Sequence, residues 1–173
     1  MRAPAEDPLA VLLLPGRLEG LALEAHARDL LAIPRVVALE PSRLRPRRLL
    51  RDAALLRQAR RLRFPGRVRL LVLYHPAKYP LARALCACHE NPELWYIPPG
   101  REALETADQA HVRELLDLDE LARERARQVL TVTEGGVDAA PLRARLRELD
   151  VINPRAFIAG ARPLPRQWRR VLP

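Results

Sequence analysis

Aromatic residues are scarce in this 173-residue chain: two Trp, three Tyr and two Phe make up 4% of it. So few rings leave no run of interleaved stacking residues for single-stranded nucleic acid, and no recognition motif for duplexes appears. Nucleic acid is therefore not an expected partner. Two cysteines are too few for a disulfide scaffold. No internal repeat or low-complexity linker is present. The longest apolar run, residues 9–14, stops at Pro15, far short of the roughly 18 residues a membrane span needs. Glu6 and Asp7 stand where a secretory leader would be basic, which predicts no leader and a cytoplasmic location. Lysine is nearly missing as well. Lys78 is the only one, and every other basic residue is arginine. With Asn and Gln also rare, this is the residue usage of a GC-rich genome.

Hydrophobic residues make up 49% of the chain, enough at this length for one domain with a core of its own. Thirty basic residues against 21 acidic give a net charge of +9. Eleven arginines fall between positions 43 and 69, against the single acid Asp52. Such a block favours an anionic partner, either an acidic membrane face or an anionic acceptor. Its centre reads as an amphipathic helix, with Leu49, Ala53, Leu56 and Ala59 on one side. Arg47, Arg51, Gln58 and Arg61 fall on the other. Arg47, Arg48, Arg51 and Arg61 are the candidate contacts to an anionic surface, which would make the protein peripheral at the inner membrane face. The alternative is an ordinary solvated helix face.

Six short apolar runs, at 9–14, 35–39, 68–74, 93–97, 129–133 and 156–159, alternate with helical stretches at 21–32, 46–63, 81–89, 111–127 and 140–149. The runs are continuous, as strands covered on both faces are. Pro80 and Pro141 suit helix starts, where a missing N–H costs nothing. The pattern predicts an α/β fold: one Rossmann-like, doubly wound parallel sheet of about six strands with helices on both faces. It covers residues 8–162, after an N-terminal extension at 1–7 and before a basic, proline-rich arm at 163–173.

In such a sheet function sits at the carboxyl ends of the strands. The first strand ends in Gly16, Arg17 and Gly20 before a helix, where backbone amides can approach a phosphate. The spacing is neither the dinucleotide fingerprint nor a P-loop. The third strand ends with His75, Lys78 and Tyr79, an imidazole, an ammonium and a phenol. His75 can serve as a base near neutral pH and Lys78 can pair with an anion. The fifth ends with Thr133, Glu134 and Gly135, suited to lining a cleft or capping a helix. Cys86 and Cys88, two apart on a helix, point to different faces and do not share a metal ion. No metal or cofactor is expected.

Two stretches carry a resemblance. Residues 67–85, RVRLLVLYHPAKYPLARAL, are similar to a strand–proline–helix segment of the N-terminal domain of GT-B-type glycosyltransferases. Residues 120–134, ending QVLTVTE, resemble that family's later strand, and 142–146 resemble the helix after it. The resemblance implies an acceptor-side half without the nucleotide-sugar-binding C-terminal domain, either a stand-alone remnant or a subunit completed by a second chain that supplies the missing domain. It implies glycosyl transfer in glycoconjugate or cell-envelope synthesis. His75 would be the base, and Lys78 and the 16–20 turn the contacts to a nucleotide-sugar or sugar acceptor. The acidic pair that often follows the family's fourth strand is replaced here by Ile97-Pro98-Pro99-Gly100. The alternative is a non-catalytic Rossmann-like module binding a nucleotide, an anion or another protein.

Overall fold

The computed structural model describes residues 7–15, 21–33, 35–39, 48–64, 66–100, 104, 109–133, 136–151 and 170–171. Strand β1 (Pro8–Leu13) leads through helix α1 (Leu21–Leu31) to strand β2 (Val36–Leu39). Helix α2 (Arg48–Arg61), strand β3 (Arg67–Leu73), a 3-10 turn (Pro76–Lys78), helix α3 (Tyr79–Cys88) and strand β4 (Glu93–Tyr96) follow. Helix α4 (Gln109–Arg125) precedes strand β5 (Gln128–Val129), a hairpin of β6 (Val132–Thr133) and β7 (Gly136–Val137), and helix α5 (Ala140–Glu148).

Five strands form the body of the sheet, all parallel, in the order β2-β1-β3-β4-β5. A two-residue strand, β8 (Arg170–Val171), pairs with the outer edge of β2. The expected α/β parallel sheet is therefore present, with five main strands among the described residues where about six were expected. The run at 156–159 lies outside the described residues. The run at 129–133 is not one strand: it leaves the sheet after Val129 and turns into the antiparallel β6–β7 hairpin.

Both faces are covered, which is why the strands carry apolar residues without alternation. Ala10, Leu12, Val36, Ala38, Leu70, Val72, Tyr74 and Trp95 face α1 and α5, meeting Leu23, Ala27, Leu30, Leu142 and Leu146. Val11, Leu13, Val37, Leu39, Leu71, Leu73, Leu94 and Tyr96 face α2, α3 and α4, meeting Ala59, Leu81, Ala82, Leu85 and Ala122. Burying each leucine side chain stabilises the fold by about 1.5–3 kcal/mol. The β1–β3 register shifts between Leu9 and Ala10, so Arg69 is an extra residue on β3. The bulge reverses side-chain parity, and Val68 joins Leu71 and Leu73 on one face. Just before β3, a Cβ on Gly66 would lie 2.1 Å from the Asp7 carbonyl oxygen, an approach only glycine permits. There the Arg67 amide donates to the same oxygen at 3.0 Å.

Helix ends follow local rules. Pro80 and Pro141 sit in the first turns of α3 and α5. α3 exits through Glu90 and Asn91 at φ 55° and 53°, with the Asn91 amide donating to the Cys86 carbonyl at 3.1 Å. α5 exits through Asp150 at φ 58°, with the Val151 amide donating to the Leu146 carbonyl at 2.9 Å. Both are left-handed helix terminations made without glycine.

α2 differs from its expected orientation. Its inner face is Leu55, Gln58, Ala59 and Leu62, while Leu56 is exposed at 37% and Ala53 is exposed. Leu62 and the following Phe64 bring more apolar area to the sheet than Leu56 could, and that rotates Leu56 outward. Gln58, placed outside by the sequence pattern, turns inward, and its Oε1 is buried without a hydrogen-bond partner among the described residues. Arg57, Arg60, Arg61 and Arg63 are exposed.

Candidate functional site

The strand order reverses between β1 and β3, because the chain goes from β1 to one side for β2 and returns to the other for β3. The crevice outside the carboxyl ends of β1 and β3 is where open α/β sheets bind ligands. Its base is continuous, since backbone bonds run one residue past the strands. The Leu14 amide donates to the Leu39 carbonyl at 3.3 Å, and the Tyr74 amide donates to the Leu13 carbonyl at 3.3 Å. The Ile97 amide donates to the Leu73 carbonyl at 2.9 Å.

His75 and Lys78 come together here, at the two ends of the turn that follows β3. His75 is extended at φ −152°, and its Nδ1 accepts the Ala77 amide at 3.2 Å, capping the turn. The Lys78 amide donates to the His75 carbonyl at 3.0 Å. Both side chains are half-buried and engaged with further protein groups. Tyr79 opens α3 and is buried in the core on the α2–α3–α4 face of the sheet. Thr133 lies in the exposed hairpin, where its hydroxyl donates to the Gly136 carbonyl at 3.1 Å. Gly16, Arg17, Gly20, Glu134, Gly135 and Arg47 lie outside the described residues, as do the side chains of Arg48 and Arg51. Arg61 ends α2 on its solvent face.

One buried polar pair, formed between α1 and the residue that follows β3, is not marked by any motif. His26 of α1 is 7% exposed, and its Nδ1 lies 3.1 Å from the Tyr74 hydroxyl. Its Nε2 is buried without a partner among the described residues. Burial drives the His26 pKa below its usual value; nearby Arg143 lowers it further, and Asp29 opposes them. Burial likewise pushes the Tyr74 phenol upward. The signal was available: His26 interrupts the α1 stripe of Leu23, Ala27 and Leu30 at helical spacing.

The opposite face holds a second tyrosine network. The Tyr96 hydroxyl donates to Asp119 Oδ1 at 2.5 Å, and Arg123 Nε donates to Asp119 Oδ2 at 2.7 Å. The Arg123 guanidinium lies 5.9 Å from the Tyr96 ring centroid. Cys86 and Cys88 are free thiols, and burial raises the pKa of Cys86. Among the described residues no group of three or more His, Cys, Asp or Glu could hold a metal ion. Among them, too, no helix is long and apolar enough to cross a membrane.

Comparison with known proteins gives no matching family model, no matching curated protein and no matching solved structure.

Proposed function

We propose that the chain is a small-molecule binding module that takes a phosphate-bearing ligand, a nucleotide or sugar nucleotide, in the crevice between β1 and β3. The observation that carries this reading is the strand reversal at β1/β3, flanked by the His75–Lys78 turn. The amino end of α1 follows the β1 loop, and a helix start favours negative charge. Beneath it, the buried His26–Tyr74 pair ties the carboxyl end of β3 to α1.

His75 Nδ1 is spent on the turn, and this favours binding over base catalysis. The second reading, an acceptor-side half of a glycosyltransferase, rests on the sequence resemblance. It requires His75 to take a proton from an acceptor hydroxyl. A panel of nucleotides and sugar nucleotides, read by thermal shift, tests both readings. Binding should raise the Tm by several degrees and fall at least ten-fold in Lys78→Ala. His75→Ala should lower the Tm of the free protein and leave binding in place. Sugar transfer that His75→Ala abolishes would favour the transferase. No shift with any member of the panel would overturn both readings.

A further inference from the structure

A second concavity runs along α3 and α4. Tyr79, Arg83 and Cys86 form one stripe of α3 at helical spacing, and Leu121 and Arg125 form the facing stripe of α4. Pro92, Leu94 and Arg127 close the groove where β4 and β5 begin. Its volume is about 770 Å³, inside the range of roughly 300–1,000 Å³ typical of small-molecule sites.

The lining is mixed, and Cys86, Pro92, Leu94 and Leu121 supply its apolar part. The rim is cationic, with three guanidiniums against one carboxylate, Glu93. That carboxylate is already committed. Arg145 of α5 grips it with two donors, Nε to Oε2 at 2.9 Å and a second nitrogen to Oε1. Glu93 is held below the usual carboxylate range by this Arg145 contact, against the effect of burial. Arg127 reaches it only at 3.5 Å and keeps 62% of its side chain exposed. The Arg127 backbone is fixed, because its amide donates to the Leu94 carbonyl at 2.7 Å. Arg83 has a protein partner of its own. Arg125 makes no ion pair with any described residue. A groove that sets apolar side chains beside Arg125 and Arg127 suits a ligand with a charged end and an apolar body.

We propose that the α3–α4 groove is a binding site for an organic anion, a phosphate or carboxylate carried on an aryl or alkyl body. Arg125 and Arg127 take the charged end, and Leu94, Leu121 and Cys86 take the apolar body.

Calorimetry of the full chain with phenyl phosphate and phenylacetate tests this and separates the two head groups. Saturable binding of at least one is expected, and inorganic phosphate and benzyl alcohol should bind at least ten-fold more weakly. The double variant Arg125→Glu/Arg127→Glu should weaken binding at least ten-fold, with Lys78→Ala unchanged. A measurement that needs no variant accompanies it. Bound ligand should slow alkylation of Cys86 by iodoacetamide at least three-fold and leave Cys88 unaffected, as read by mass spectrometry. Absence of saturable binding, equal affinity in the double variant, or loss in Lys78→Ala would overturn the proposal. So would alkylation of Cys86 at the same rate with and without ligand.

Discussion

The two faces of the sheet each bury a tyrosine near the carboxyl end of a central strand, and they satisfy its hydroxyl in opposite ways. On the α1–α5 face, Tyr74 meets His26, a neutral ring that is itself buried and has one nitrogen unpartnered among the described residues. On the α2–α3–α4 face, Tyr96 meets Asp119, whose charge continues to Arg123 at the surface. The first network is closed inside the protein, and the second opens to solvent. A closed pair depends on its own two members, and it is vulnerable wherever one of them gains a charge. An open network can exchange partners with water.

Single and double substitutions separate the two arrangements most strongly. Tyr74→Phe strips His26 Nδ1 of the Tyr74 hydroxyl and should cost about 1–3 kcal/mol in urea unfolding, the desolvation penalty of an orphaned buried group. Adding His26→Leu should recover most of that loss, because both halves of the closed pair are then apolar. Tyr96→Phe should cost about 1–2 kcal/mol. Adding Asp119→Leu should recover nothing, because Arg123 then loses its carboxylate. Recovery on both faces, or on neither, would erase the distinction.

Much of this frame was legible in the sequence. Four strands and five helices fall within a few residues of where apolar runs and proline positions put them, because burial on both faces demands uninterrupted runs. The facing of α2 was not legible. Leu56 and Leu55 are adjacent and alike, and only the sheet beneath decides which one turns inward. The departure at Thr133 has a similar reason: TVT has strand propensity, but that strand pairs in the β6–β7 hairpin and not in the main sheet. The rim gathers His75 and Lys78 because they share one short turn, which is a local fact. The His26–Tyr74 pair joins residues 48 apart, and the α3–α4 groove joins two helices and two strand starts. Neither leaves a contiguous motif.

Titration should divide the faces next. A His whose folded pKa is depressed contributes stability that is present above the unfolded value of 6.5 and lost as pH falls below it. Unfolding free energy should therefore begin to decline as pH drops from 6.5 toward 5 in the wild-type chain. In His26→Leu/Tyr74→Phe that decline should vanish. Glu93 acts in a lower window: its depressed pKa gives stability that is lost only as pH falls below its usual 4.5. At alkaline pH the faces should behave alike. Both phenols are raised above 10, so both contribute stability that is lost as pH rises past that value. A decline between 6.5 and 5 that persists in the double variant would remove His26 as its source.

The smallest difference concerns how the helices on each face end. α5 leaves through Asp150 and α3 through Glu90, both at positive φ where a side chain strains the backbone. Asp150→Gly should stabilise the protein by about 0.5–1 kcal/mol, since the Asp150 contact to Arg35 uses the backbone carbonyl and survives the change. Glu90→Gly relieves the same strain but breaks an exposed ion pair with Arg67, worth about 0–1 kcal/mol. Asn91 beside it stays left-handed in either case. The gain at position 90 should therefore fall below the gain at 150, and thermal unfolding of the two variants side by side measures the gap. An equal gain would mean that the Arg67 pair contributes nothing. A loss at position 150 would mean that the Asp150 side chain holds the turn in a way its backbone alone does not.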